Sequence, residues 1–144
     1  MILREVEVAY KPGKRVEGTR KIHSALDAYR MLKGMDLHTK TQENFVVLHL
    51  NTRHEVVSVQ TIGVGGLNEV GVHPREVFRA AIMVGAAAII LAHNHPSGDA
   101  SPSREDLALT LRMCDVGKLL GITVLDHVVV GDYSYSSMKE CDLM

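Results

Sequence analysis

Four residues in one short stretch have the types and spacing to do chemistry: His93, His95, Ser103 and Asp106. An apolar run, Ala86–Ala92, leads into His93-Asn94-His95, and a Pro96-Ser97-Gly98 turn follows. The run is short, apolar and bounded by a turn, so it reads as a buried strand. Alternate side chains of a strand share a face, so His93 and His95 point the same way. Two imidazoles side by side at a strand end can share one metal ion at about 2.0–2.1 Å. Hydrolytic metal sites keep three protein ligands and leave a position for water. Asp106 is the best third ligand, since it opens the helix that returns from the Pro96–Pro102 loop. Asp99 and Glu105 are its rivals. Two histidines and a carboxylate suit zinc, with iron or manganese as alternatives. A plainer reading competes with this one. The chain has eight histidines, and Ser103-x-x-Asp106 is also a capping box, which needs only to start a helix.

The elements that must position these residues follow from pattern. Ser24, with Asp27 three residues on, predicts a capped helix over Ala25–Lys33 closed by Gly34. Asn44–Leu50 and Glu55–Gln60 are rich in strand formers and flank Asn51–His54, which predicts a hairpin. Gly63, Gly65 and Gly66 follow. No Gly-Lys-Ser/Thr comes after them, so they serve backbone turns rather than a phosphate loop. Pro74–Val84 reads as a helix with Val77, Phe78, Ala81 and Ile82 at helical spacing, ended by Gly85. A longer helix spans Arg104–Leu120 and stops at Gly121. Ile122–Val130 reads as a strand interrupted by Asp126-His127, and Tyr133–Ser137 as a short last strand. Near the N-terminus, Ile2–Tyr10 alternates charged and apolar residues ahead of a Lys11–Lys14 turn, which predicts a strand and hairpin. Strands with helices between them make the class α/β (α+β) around a mixed sheet.

The 144 residues suffice for one domain. The longest apolar stretch, Ala80–Ala92, has 13 residues, short of the roughly 20 that span a bilayer. No signal peptide is visible, and no membrane partner is expected. Cys114 and Cys141 are outside any Cys-x-x-Cys spacing, which predicts reduced thiols in a cytoplasmic protein. Net charge is −1. Residues 1–40 carry nine Lys/Arg against five Asp/Glu, a local balance of +4. That balance fits a solvated segment and admits a nucleic-acid partner.

The whole pattern, His-x-His-Pro-x-Gly followed by Ser-x-x-Asp, resembles the JAMM motif of JAB/MPN metalloproteases. A finer resemblance is to the RadC family (UPF0758), carried by Val72–Phe78 (Val-His-Pro-Arg-Glu-Val-Phe) and by Ala88–Gly98 (Ala-Ile-Ile-Leu-Ala-His-Asn-His-Pro-Ser-Gly). Leu125-Asp126-His127 and Val130-Gly131-Asp132 add to it. The resemblance covers about residues 40–137. It implies a JAB/MPN-like domain over residues 23–144, a curved mixed sheet flanked by helices in a cytidine deaminase-like three-layer architecture. Residues 1–22 match poorly and are read as an N-terminal extension. The helix-hairpin-helix region of full-length members is not in this chain, so DNA contacts through it are not expected. By resemblance, His93, His95 and Asp106 are ligands of one zinc ion per chain. Ser103 matches a serine that stabilises an oxyanion. Glu43, just ahead of Asn44–Leu50, matches the general base, with Glu69 as a rival.

Several residues take a supporting or structural reading. Asp126 and His127 are candidates for orienting a ligand from behind, or for a polar pair in a strand. Asn94 lies between the two histidines and faces the other way, which predicts hydrogen bonds to backbone. Ser97 fits turn chemistry. His23, His38, His49, His54 and His73 are expected to be structural or exposed.

The resemblance implies a zinc-dependent hydrolase of peptide or isopeptide bonds, with a peptide or protein substrate. Two alternatives are a non-catalytic binding module and a DNA-repair-associated role. Other hydrolase classes are disfavoured. An amidohydrolase barrel needs about 200 residues or more. The Pro-Cys-x-x-Cys pattern of zinc deaminases is absent, and so is a Gly-x-Ser-x-Gly elbow.

Overall fold

The computed structural model describes residues 1–65 and 72–144. Gly66 and Glu69, the latter a rival base in the sequence, lie outside the described residues. Helix α1 (Ala25–Gly34) is followed by a short 3-10 turn at Leu37–Thr39. Then come strands β1 (Asn44–Leu50) and β2 (Val56–Val64), helix α2 (Pro74–Met83) and strand β3 (Ala88–Asn94). Helix α3 (Arg104–Leu120), strand β4 (Thr123–Val130) and strand β5 (Tyr135–Ser137) complete the order.

The five strands form one sheet in the order β2-β1-β3-β4-β5. Among the described residues, only β3 and β4 run parallel; the other pairs are antiparallel. Parallel neighbours need a crossover, and α3 supplies it. The sheet is mixed, as the alternation of strands and helices predicts.

Alternation along the strands sends side chains to two cores. On one face Val46, Leu48, Ile90, Ala92 and Val128 pack against Ala28, Tyr29 and Leu32 of α1. On the other face Phe45, Val47, Ile89 and Leu91 pack against Val77, Phe78 and Ala81 of α2 and Met113 of α3. The domain is therefore three layers, with α1 on one side and α2 and α3 on the other. Leu32, Leu48, Ile89 and Leu91 are fully buried, and each such aliphatic side chain contributes about 1.5–3 kcal/mol.

Three expectations change. The strand and hairpin over Ile2–Tyr10 do not form; residues 1–17 carry no helix or strand. Ile2, Leu3 and Val6 stay exposed. Alternation alone cannot hold a strand whose backbone has no neighbour. The first pairing is an isolated bridge between Lys21 and Glu55. Second, β2 runs past Gln60 through Gly63 and accommodates Ile62 as a bulge opposite Phe45-Val46. The turn falls at Gly65, whose φ is +114°. Third, Asp126-His127 does not interrupt β4. The irregularity is one residue earlier: Ile89 pairs with Val124 and Ile90 with Asp126, so Leu125 is passed over.

Burial also sets the behaviour of His49. It lies in β1, fully buried, with Nδ1 2.8 Å from Ser58 Oγ. Burial pushes its pKa from 6.5 down to about 4. The unfolded chain therefore binds a proton that the folded chain refuses between those values, and stability falls as pH drops from 6.5 toward 4. His49→Gln should flatten that fall in melting temperature relative to wild type. Identical pH profiles for the two proteins would contradict the assignment.

Candidate metal centre

The centre forms where β3 ends and α3 begins. His93 is on β3, facing the α2/α3 layer with Ile89 and Leu91, and is fully buried. His95 follows the strand, and its backbone N–H extends the pairing by donating to the Val130 carbonyl at 2.9 Å. The two Nε2 atoms lie 3.0 Å apart. Asp106 Oδ1 is 3.2 Å from His93 Nε2, and Asp106 Oδ2 is 3.2 Å from His95 Nε2. Among the described residues, these three make the group of His, Cys, Asp and Glu able to hold a metal ion.

The donor set fits a cation. Tetrahedral bonds of about 2.0–2.1 Å place neighbouring donor atoms about 3.3 Å apart, close to the 3.0–3.2 Å edges here. His95 Nδ1 is 2.8 Å from the Asp99 carbonyl, which only accepts, so Nδ1 carries a proton and Nε2 is the nitrogen turned to the triangle. Electron-rich atoms converging in this way call for a positive charge between them. Burial opposes the ionisation of Asp106, but the two imidazoles that face it outweigh burial and hold the carboxyl far below the usual range. The facing Asp106 carboxylate in turn raises His95, against burial.

Asp106 reaches the histidines from the helix start. Ser103 caps α3, its Oγ accepting from Asp106 N at 3.0 Å, while Asp106 Oδ2 accepts from Ser103 N at 2.8 Å. The capping role and a ligand role are therefore compatible in the same side chain. Neither rival carboxylate takes part. Asp99 is exposed, and its Oδ1 accepts from Ser101 N; Glu105 is exposed. The intervening loop is pinned by close backbone approach. A Cβ on Gly131 would lie 2.3 Å from the Gly98 carbonyl, and Gly98, at φ +89°, accepts from Asp132 N. Ser97 accepts from Asp99 N inside the turn.

Glu43 sits at the rim, one residue before β1, with Oε1 3.9 Å from His95 Nε2. Asn94 holds the chain around it from the opposite face of β3. Its Oδ1 accepts from Asn44 N at 2.7 Å, and its Nδ2 donates to the Gln42 and Lys40 carbonyls. The backbone is thus clamped on both sides of Glu43.

His127 and Asp126 separate. The passed-over Leu125 turns His127 to the face of His93, and His93 Nδ1 is 2.7 Å from His127 Nε2. Phe45 packs against both rings. Burial, then the nearby His93, pushes His127 well below the ordinary imidazole value. Behind it stands Thr110, fully buried, which the sequence reading did not single out. Its signal was present: Asp106 and Thr110 are four apart on a helix, hence on one face. Asp126 instead accepts from Ser137 Oγ at 2.6 Å and from the backbone of His127 and Lys139, which ties β5 and its following turn to β4. Of the other histidines, His23, His54 and His73 are exposed, and none belongs to the group.

Fold and site together define a single α/β domain of the JAB type carrying a His/His/Asp group able to hold a metal ion. The model for the RadC-like JAB domain matches residues 22–143, and the chain belongs to that family. A UPF0758 protein of Methanococcoides burtonii is 49% identical over 121 residues, covering 84% of this chain and 52% of the relative. One from Alkaliphilus metalliredigens is 44% identical over 144 residues, covering 97% and 62%. One from Halalkalibacterium halodurans is 55% identical over 100 residues, covering 69% and 43%. The chain thus spans about half the length of the curated relatives it matches. No helix among the described residues is long and apolar enough to cross a membrane.

His95→Ala removes one donor at the solvent edge and leaves the core untouched. Elemental analysis should find a divalent metal in the wild type and a large loss in the variant. Equal stoichiometry in both would refute the ligand set.

Proposed function

We propose that this domain is a zinc-dependent hydrolase of amide bonds, peptide or isopeptide, acting on a peptide or protein substrate. The observation that carries the reading is a carboxylate, Glu43, at the rim of a His93–His95–Asp106 triangle. A zinc ion on that triangle supplies Lewis acidity and lowers the pKa of water there to about 7.

The chain's own residues supply the proton transfers. Glu43 takes a proton from the attacking water and returns it to the leaving amine. Its partial exposure lets substrate and water reach it, while Asn94 limits how far its backbone can drift. Ser103 has used its oxygen as an acceptor for Asp106 N, so its hydroxyl proton is free to bond a developing oxyanion. The buried imidazole of His93 and the half-buried one of His95 divide the site into an inner wall and an outer edge. Family membership supports the same reading, because the matched region spans every residue named.

The test couples metal analysis to a library of peptide and isopeptide substrates. Glu43→Gln should keep its zinc and lose turnover by about 10²–10⁴-fold. Unchanged turnover in that variant would remove Glu43 as the base.

A further inference from the structure

Thr110 and His127 have no part in the proton transfers above, yet both are fully buried directly behind a ligand. Thr110 follows Asp106 by one turn of α3. Its Oγ1 donates to the Asp106 carbonyl at 2.7 Å and lies 2.5 Å from His127 Nδ1. His127 Nε2 lies 2.7 Å from His93 Nδ1, and His93 Nε2 faces Asp106 Oδ1 and His95 Nε2.

Each contact in this row has room for one proton. Thr110 places its own on the Asp106 carbonyl, so its oxygen accepts and His127 Nδ1 donates. His127 Nε2 is then bare and accepts from His93 Nδ1. His93 Nε2 is left with a lone pair aimed into the triangle. We propose that Thr110, acting through His127, is a positioning residue that keeps the proton of His93 on Nδ1 and so keeps Nε2 open as a metal donor. This rests on the metal-centre reading given under Proposed function.

The opposite proton order is accessible only if the Thr110 hydroxyl turns away from the Asp106 carbonyl and donates to His127. His127 would then donate to His93, and His93 would carry a hydrogen on Nε2, pointing at the other donors. What Thr110 controls is the position of the protons, not their number. Without the hydroxyl, an N–H at His127 Nδ1 would be a buried donor with no acceptor, a costly arrangement. The proton would move to Nε2 and impose the wrong order on His93. The irregularity at Leu125 serves this arrangement, since it brings His127 to the face of His93.

Thr110→Val keeps the shape and deletes the hydroxyl; Thr110→Ser keeps the hydroxyl. Zinc affinity is read by competition with a chromophoric chelator. Proton positions are read from long-range nitrogen–proton NMR of zinc-free protein labelled in histidine. The wild type and Thr110→Ser should carry the His127 and His93 protons on Nδ1 and bind zinc alike. Thr110→Val should carry the His127 proton on Nε2 and bind zinc about 10–100-fold more weakly. A wild-type spectrum with the His127 proton on Nε2 overturns the proposal, even if Thr110→Val fails to fold. So does wild-type affinity in folded Thr110→Val. A wild type that takes up no zinc defeats the metal reading itself, whereas the zinc-free spectra decide the proton order independently.

Discussion

The parallel pairing of β3 with β4 is the constraint on which the rest depends. Two parallel neighbours cannot be joined by a tight turn, so the chain must cross over one face of the sheet. The 17-residue α3 makes that crossing. It has to start near the carboxyl end of β3, and that is where the strand delivers His93 and His95. Sites in α/β sheets gather at carboxyl ends of strands for this reason. Here the geometry brings two strand-borne imidazoles to a helix-borne carboxylate with only a short loop between them.

Asp106 joins the two halves because a carboxylate has two oxygens and several lone pairs. Oδ2 satisfies the backbone N–H of Ser103 while also facing His95, and Oδ1 faces His93. Burying a charge is expensive unless it is paired and hydrogen-bonded. The two imidazoles, the Ser103 amide and the positive end of α3 all offset that cost. Helix initiation, worth about 1 kcal/mol at such a cap, and assembly of the donor triangle are thus one local event. Asn94 plays the matching part on the other face of the same strand, where it clamps the segment bearing Glu43.

Much of this was legible in the sequence, because the apolar run, the turn and the capping box each have a local physical cause. The bounds of α3 and the side on which Asn94 would bond followed from spacing alone. Other features had causes the sequence does not display locally. The Ile2–Tyr10 alternation reads as a strand, but no neighbour pairs with its backbone. Asp126-His127 looks like a polar interruption, whereas the strand passes through it and yields at Leu125 instead. That single shift sends His127 to the face of His93 and Asp126 toward β5, so two adjacent residues of similar promise part company. The functional assignment of Glu43 drew on the family pattern, and only the fold brings that residue beside His95.

The most direct measurement is X-ray absorption at the zinc edge of the reconstituted protein, with His95→Ala as comparison. A centre built on His93, His95 and Asp106 would show nitrogen and oxygen scatterers at about 2.0–2.1 Å, two of them imidazoles, with one imidazole lost in the variant. A spectrum with sulfur in the first sphere, or one that His95→Ala leaves unaltered, would contradict it.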